Sequence, residues 1–302
     1  MRLDDYDPGD DIRDLGRGGG GGFGGGGGGG LGGLLIGFLP MLLGRKMGCG
    51  TILLLGVAAF FLLGPGANML SSGSGTADPM ADSRGTNTQA CDTEGERFAC
   101  NVFSSTNKFW GTQINGYQEP KLRFFTDRNQ SGCGAAQAAM GPFYCPADQG
   151  NYLDTAFFRE LDQRFGAAGD AAQAYVVAHE VGHHIQTVSG ISEQVRRAQG
   201  RASQAEGNAL QVRMELQADC YAGVWASRAR NSAGQPVMEA GDMEEAMRAA
   251  NAIGDDTLMR SAGQRPVPES FTHGTSEQRM SWLRRGLQSG DPRQCDTFAS
   301  NI

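Results

Sequence analysis

Six consecutive residues, His179-Glu180-Val181-Gly182-His183-His184, constrain this chain more than any other stretch. The lead-in, Asp170 to Ala178, carries Ala171, Ala172, Ala174 and Ala178, the strongest helix formers. Asp170 suits an N-cap and the positive end of a helix dipole, and Gly190 suits a stop. At 3.6 residues per turn, His179 and His183 share one helix face, about 6 Å apart along the axis. Two imidazoles so placed can grip one zinc ion, with Glu180 beside it. His184 sits roughly 100° further round, beyond reach of that ion, and reads as a packing or hydrogen-bonding residue. The five-letter pattern also arises by chance in helices whose histidines are merely solvated or bonded in a core. Here the chain has four histidines and three fall within these six residues, which favours the metal.

A catalytic zinc site takes three protein ligands and keeps a fourth position for water. An x-x-G-x-x-H extension would supply the third ligand directly, but Gln186 and Ser189 stand where its glycine and histidine belong. The ligand must therefore come from a second helix, and Glu215-Leu-Gln-Ala-Asp219 is the candidate. Glu215 and Asp219 lie one turn apart on a face that Met214, Ala218 and Ala222 otherwise make apolar. Carboxylates there need partners: zinc for Glu215, and a ligand histidine's outer N–H for Asp219. The plainer alternative is two solvated helix charges. His273, in Ser270-Phe-Thr-His-Gly-Thr-Ser276, precedes a helix; it either donates to a developing oxyanion or serves as a structural loop residue.

Composition divides the rest. Residues 1–30 combine an aspartate-rich start with an almost unbroken glycine run and read as a disordered cytoplasmic tail. The glycines lack the Lys-Ser/Thr ending of a phosphate loop. Residues 31–70 hold two apolar runs. The second, about 47–66, is just long enough to span a bilayer, and Arg45 and Lys46 place its start in the cytoplasm. A cleaved signal peptide is the rival, although no clean small-x-small site follows Leu63. Residues 71–89 are polar and read as a linker. The expectation is a single-pass inner-membrane protein with residues 90–302 folded on the extracytoplasmic side. A net charge of −7 without a basic cluster argues against a nucleic-acid partner.

Cys49 falls in the proposed span; the other six of the seven cysteines follow it. An even number outside the cytoplasm suggests disulfides. Cys91–Cys100 and Cys133–Cys145 close short loops and leave Cys220–Cys295 by elimination. Strands are expected at 121–126, 141–146 and 151–154. Helices are expected at 155–165, from 170 to about 189, and at 192–205, 209–229, 242–253 and 276–287. A few strands before a mostly helical remainder make an α+β pattern.

Taken together, these residues resemble a known family, the neutral zinc metallopeptidases of bacteria. The stretches that carry the resemblance are Cys133-Gly134, Gly141-Pro-Phe-Tyr-Cys-Pro-Ala-Asp148, Ala174-Tyr-Val-Val-Ala-His-Glu-Val-Gly-His-His-Ile-Gln186, Glu215-Leu-Gln-Ala-Asp-Cys-Tyr-Ala-Gly223, Gly254-Asp-Asp256 and Ser270-Phe-Thr-His-Gly-Thr-Ser276. The glycine-rich start and single apolar segment are similar to that family too. The resemblance implies a zincin-like metallopeptidase domain, mostly helical with a small β-sheet and preceded by one transmembrane helix. It implies His179, His183 and Glu215 as ligands, as in gluzincin-type peptidases, with Asp219 as a brace. The expected activity is a membrane-anchored, zinc-dependent endopeptidase that acts on peptide or protein substrates. Glu180 would be its general base and His273 a further catalytic candidate. A zinc hydrolase of non-peptide amides and a catalytically silent, zinc-bound assembly protein are the alternatives.

Overall fold

Thr93 starts the first long helix. Its hydroxyl accepts the Glu96 amide at 3.2 Å, and the Glu96 carboxylate accepts the Thr93 amide at 3.4 Å, which satisfies two amides that no helix turn can reach. This helix, α1 (Glu94–Gln113), buries Val102, Phe103 and Trp110. In the computed structural model, which describes residues 1–16, 90–300 and 302, it packs against the helix that carries the histidines.

The main sheet has four short strands: β1 (Ile12–Asp14), β2 (Lys121–Phe124), β5 (Phe143–Cys145) and β6 (Gly150–Leu153). Their order is β1-β2-β6-β5, with β1/β2 and β2/β6 parallel and β5/β6 antiparallel. A separate hairpin, β3 (Arg128–Ser131) and β4 (Gly134–Gln137), is tied to β5 by the Cys133–Cys145 disulfide. Cys91–Cys100 and Cys220–Cys295 are bonded as well, so all three expected pairings are present.

Among the described residues seven further α-helices follow: α2 (Ala156–Phe165), α3 (Asp170–Val188), α4 (Ile191–Gln199), α5 (Gln204–Arg228), α6 (Asp242–Ala252), α7 (Asp255–Ser261) and α8 (Ser276–Ser289). α5 is the central rod, packed between α3 and α8. Small residues set the spacing. A side chain at Gly182 of α3 would meet the Ala218 backbone at 3.0 Å, and one at Gly286 of α8 would lie 2.0 Å from the Cys220 carbonyl. These contacts pull both neighbours onto the stretch of α5 that carries Glu215 and Asp219.

The mostly helical α+β architecture with a small mixed sheet agrees with expectation, but the membrane part does not. The proposed span at 47–66, the linker and the glycine run lie outside the described residues. Among the described residues, no helix is long and apolar enough to cross a membrane. Residues 1–16 are moreover not a disordered tail. Ile12 is fully buried, β1 is hydrogen-bonded to β2, the Tyr6 amide donates to Asn101, and the Asp7 amide donates to Ser104. A single crossing would put residues 1–16 and 90–302 on opposite faces of a bilayer, whereas the fold packs them together. The single-pass anchor, the membrane partner and the inner-membrane placement with an outer catalytic domain are therefore withdrawn.

Two smaller differences have local causes. Gly169, not Asp170, caps α3, and the Asp170 carboxylate pairs with the Met1 ammonium. The polar stretch expected as one helix over 192–205 breaks at Gly200, and a Ser203/Glu206 capping box starts α5.

Candidate metal centre

α3 and α5 bring three side chains to one point. His179 Nε2 lies 3.1 Å from Glu215 Oε2 and His183 Nε2 lies 3.5 Å from the same oxygen. The two imidazole centroids are 4.8 Å apart. Each residue offers one ligand atom, and these atoms all lie within 4.8 Å of one another.

The outer atoms of this trio are all engaged. His179 Nδ1 is 2.7 Å from Asp219 Oδ1, and His183 Nδ1 is 2.9 Å from Gln186 Oε1. A carboxylate and an amide oxygen only accept, so both rings hold a proton on Nδ1, which makes Nε2 the nitrogen that faces the centre. Gln211 donates to Glu215 Oε1 at 2.9 Å, which leaves Oε2 for the centre. Two imidazole nitrogens and a carboxylate oxygen turned to one point fit a zinc ion, which would take the place of the protons they share, and the bonded outer nitrogens are the support that such ligands need.

Asp219 is fully buried and accepts from Tyr175 (2.6 Å) and from two nitrogens of Arg279 (2.9 and 2.8 Å) as well as from His179. Burial alone would raise its pKa, but the Arg279 and His179 charges overcome that and hold it at about 2. Burial likewise pulls His179 down, yet the Asp219 charge and its hydrogen bond lift it to about 9. Glu215 is kept well below the usual carboxylate range: the His183 and His273 charges outweigh its burial.

Glu180 follows His179 on α3 and is half-buried. The structure places His273 at the α7–α8 side, within electrostatic reach of Glu215. Asp255 orients it, accepting the His273 amide at 2.6 Å, the Thr272 and Gly274 amides at 2.7 and 3.1 Å, and His273 Nδ1 at 3.2 Å. His184 points elsewhere. Nδ1 meets the Tyr144 hydroxyl at 3.0 Å and Nε2 the Gln118 carbonyl at 2.5 Å, which fastens α3 to β5 and to the loop before β2.

Gln186, Gln211, Tyr175 and Arg279 are the site residues that sequence reasoning passed over. Gln186 and Gln211 had a signal, standing one turn from His183 and from Glu215 on the same helices. Arg279 had none, because a buried arginine on an amphipathic helix reads as a surface charge. A second acidic group, Asp170, Asp242 and Glu245, lies at the start of α3. There the Met1 ammonium pairs with Asp170 and lies 3.6 Å from Asp242.

Two histidines and one carboxylate from two helices of an α+β fold form a candidate metal-binding cluster, the kind of site that a zinc-peptidase-like fold carries. Residues 1–298 match the family model described as "Putative neutral zinc metallopeptidase", and the chain belongs to that family. It is 51% identical over 213 residues to Uncharacterized protein YpfJ of Escherichia coli (strain K12), covering 69% of this chain and 73% of that protein. It is 44% identical over 205 residues to Uncharacterized protein Rv2575 of Mycobacterium tuberculosis (strain ATCC 25618 / H37Rv), covering 65% of this chain and 68% of the relative. No solved structure matches the chain.

Proposed function

We propose that this protein is a zinc-dependent endopeptidase with His179, His183 and Glu215 as ligands and Glu180 as general base. The observation that carries the proposal is the convergence of His179 Nε2, His183 Nε2 and Glu215 Oε2 while every outer atom of the trio is bonded. When bound, zinc lowers the pKa of a coordinated water to about 7 and polarises a carbonyl oxygen.

The chain's own residues do the remaining work. Glu180 takes a proton from the attacking water and returns it to the departing amine. His273, held by Asp255, donates to the oxygen that gains charge as the carbonyl carbon becomes tetrahedral. Asp219, fixed by Arg279 and Tyr175, holds His179 in its Nδ1–H tautomer. β5 closes one end of the sheet next to α3, so an extended substrate can add there as a further strand.

The test is elemental analysis of protein purified without chelators, together with mass spectrometry of peptides after incubation. The expected result is one zinc per chain, lost in His179→Ala, and new internal peptide termini. Protein that holds no zinc, or that holds zinc and cleaves no peptide in a broad library, would overturn the proposal.

A further inference from the structure

Between His183 and the C-terminal loop runs a chain of two buried amides. Gln186 Oε1 faces His183 Nδ1 at 2.9 Å. Gln186 Nε2 donates to the Met214 carbonyl at 2.7 Å and to Gln217 Oε1 at 3.1 Å. Gln217 Nε2 donates in turn to the Cys295 carbonyl at 2.9 Å. Gln186 is fully buried and Gln217 nearly so, which keeps water from taking over either role.

The direction of every bond in this chain is forced from its far end. A backbone carbonyl can only accept. The Cys295 carbonyl therefore requires the NH2 of Gln217, and so turns the Gln217 oxygen toward Gln186. The Met214 carbonyl and that oxygen then both require the NH2 of Gln186, and so turn its oxygen toward His183. Flipping either amide sets oxygen against oxygen in a buried site, where an unmade bond costs most. The far end is itself anchored. Cys295 is disulfide-bonded to Cys220, and Thr297 donates to the Arg213 carbonyl at 2.7 Å.

We infer that Gln186 and Gln217 are positioning residues: the Met214 and Cys295 carbonyls, acting through their amides, dictate that His183 carries its proton on Nδ1 and presents Nε2 to the metal. The two ligand histidines are thus set by different means, His179 by a charged carboxylate and His183 by a neutral relay. The neutral relay fixes the tautomer without adding a charge beside the ion. The inference rests on the proposed metal site but concerns a proton position that can be measured apart from it.

The experiment uses Gln186→Met and Gln217→Met, which keep length and remove the amide. Zinc affinity is read by chelator competition, and the His183 ring N–H by 15N-resolved NMR of the zinc-loaded full chain. Wild type is expected to show a protected, hydrogen-bonded Nδ1–H. In Gln186→Met that signal loses its protection and zinc binds roughly 10–100-fold more weakly. Gln217→Met, which touches no ligand, is expected to shift the same resonance and weaken zinc by a smaller factor. If Gln186→Met does not fold, Gln217→Met alone decides. An unmoved ring N–H with unchanged affinity overturns the relay. A wild-type protein that takes up no zinc would sink the metal assignment instead. The relay would then be judged on the neutral, metal-free ring, and a proton found on Nε2 would overturn it.

Discussion

Arg279 closes on Asp219 with two nitrogens, Nε to Oδ2 at 2.9 Å and Nη2 to Oδ1 at 2.8 Å, and neither side chain reaches solvent. The fork neutralises a carboxylate that α5 carries into the core, and its Oδ1 accepts from Tyr175 and from His179 Nδ1 as well. Removing one partner of such a pair leaves the other charge buried, at a cost of about 3–5 kcal/mol. Arg279→Met is therefore expected to lower unfolding stability by that amount in denaturant titrations of the metal-free protein. Arg279→Lys should recover only part, since an ammonium cannot reproduce the fork. The sign with pH follows from Asp219, whose pKa is held at about 2, below its ordinary 3.8. Its contribution is complete above pH 4 and fades as the pH falls through 2. A methionine variant as stable as wild type at pH 7 would remove Arg279 from this role.

Glu180 separates binding from turnover. It bonds to none of the three proposed ligands, so Glu180→Gln keeps their geometry and removes only the proton acceptor. The expected outcome is wild-type zinc content with peptide cleavage reduced about 10²–10⁴-fold. Elemental analysis and a fluorogenic peptide assay on the same preparation check both halves. Cleavage at the wild-type rate would assign the base elsewhere.

The candidate cluster was legible because helical spacing is a local property: His179 and His183 at i and i+4, and Glu215 and Asp219 likewise, announce their faces without any tertiary information. The strand pair around residue 148 and most helices from 155 onward were legible for the same reason; α7 was not, and the stretch over 192–205 divided at Gly200. α1 was missed although Thr93 and Glu96 spell a capping box ahead of Phe98, Val102, Phe103 and Trp110. β1 could not be read at all. Its three residues sit in an aspartate-rich start, and they form a strand only because β2, more than a hundred residues later, offers an edge. Arg279 and Gln217 matter through bonds to distant elements, which no periodicity records.

The N-terminal segment should respond to pH in a definite direction. Asp10 is nearly buried beside Ser104, and burial pushes its pKa up to about 6, helped by Glu119 and Asp7 and opposed by the Ser104 hydroxyl that donates at 2.5 Å. Because the folded value lies above the ordinary 3.8, the stability tied to Asp10 is complete below pH 4 and is lost as the pH rises through 6. Asp10→Asn mimics the protonated form. Its stability should match wild type at pH 4 and exceed it at pH 8, as measured by denaturant unfolding across that range. A difference that does not vary with pH would show that the carboxyl ionises without penalty.

Cys220–Cys295 is expected to act on both the fold and the metal centre, and Cys91–Cys100 on the fold alone. The first closes a separation of 75 residues and the second only 9. Chain entropy then gives about 4.5 and about 2.6 kcal/mol of stabilisation respectively. The larger difference lies in position. Cys220 follows Asp219 on α5, and the Cys295 carbonyl holds Gln217, so losing this bridge loosens the supports of both proposed ligand histidines. Replacing each pair by alanines and measuring unfolding and zinc affinity on all three proteins separates the two effects. The Cys91/Cys100 variant should unfold earlier and bind zinc as wild type does. The Cys220/Cys295 variant should unfold earlier still and bind zinc several-fold more weakly. Equal zinc affinities in the two variants would mean that the C-terminal loop stays in place through its remaining contacts, Arg213 to the Thr297 and Ser300 carbonyls among them.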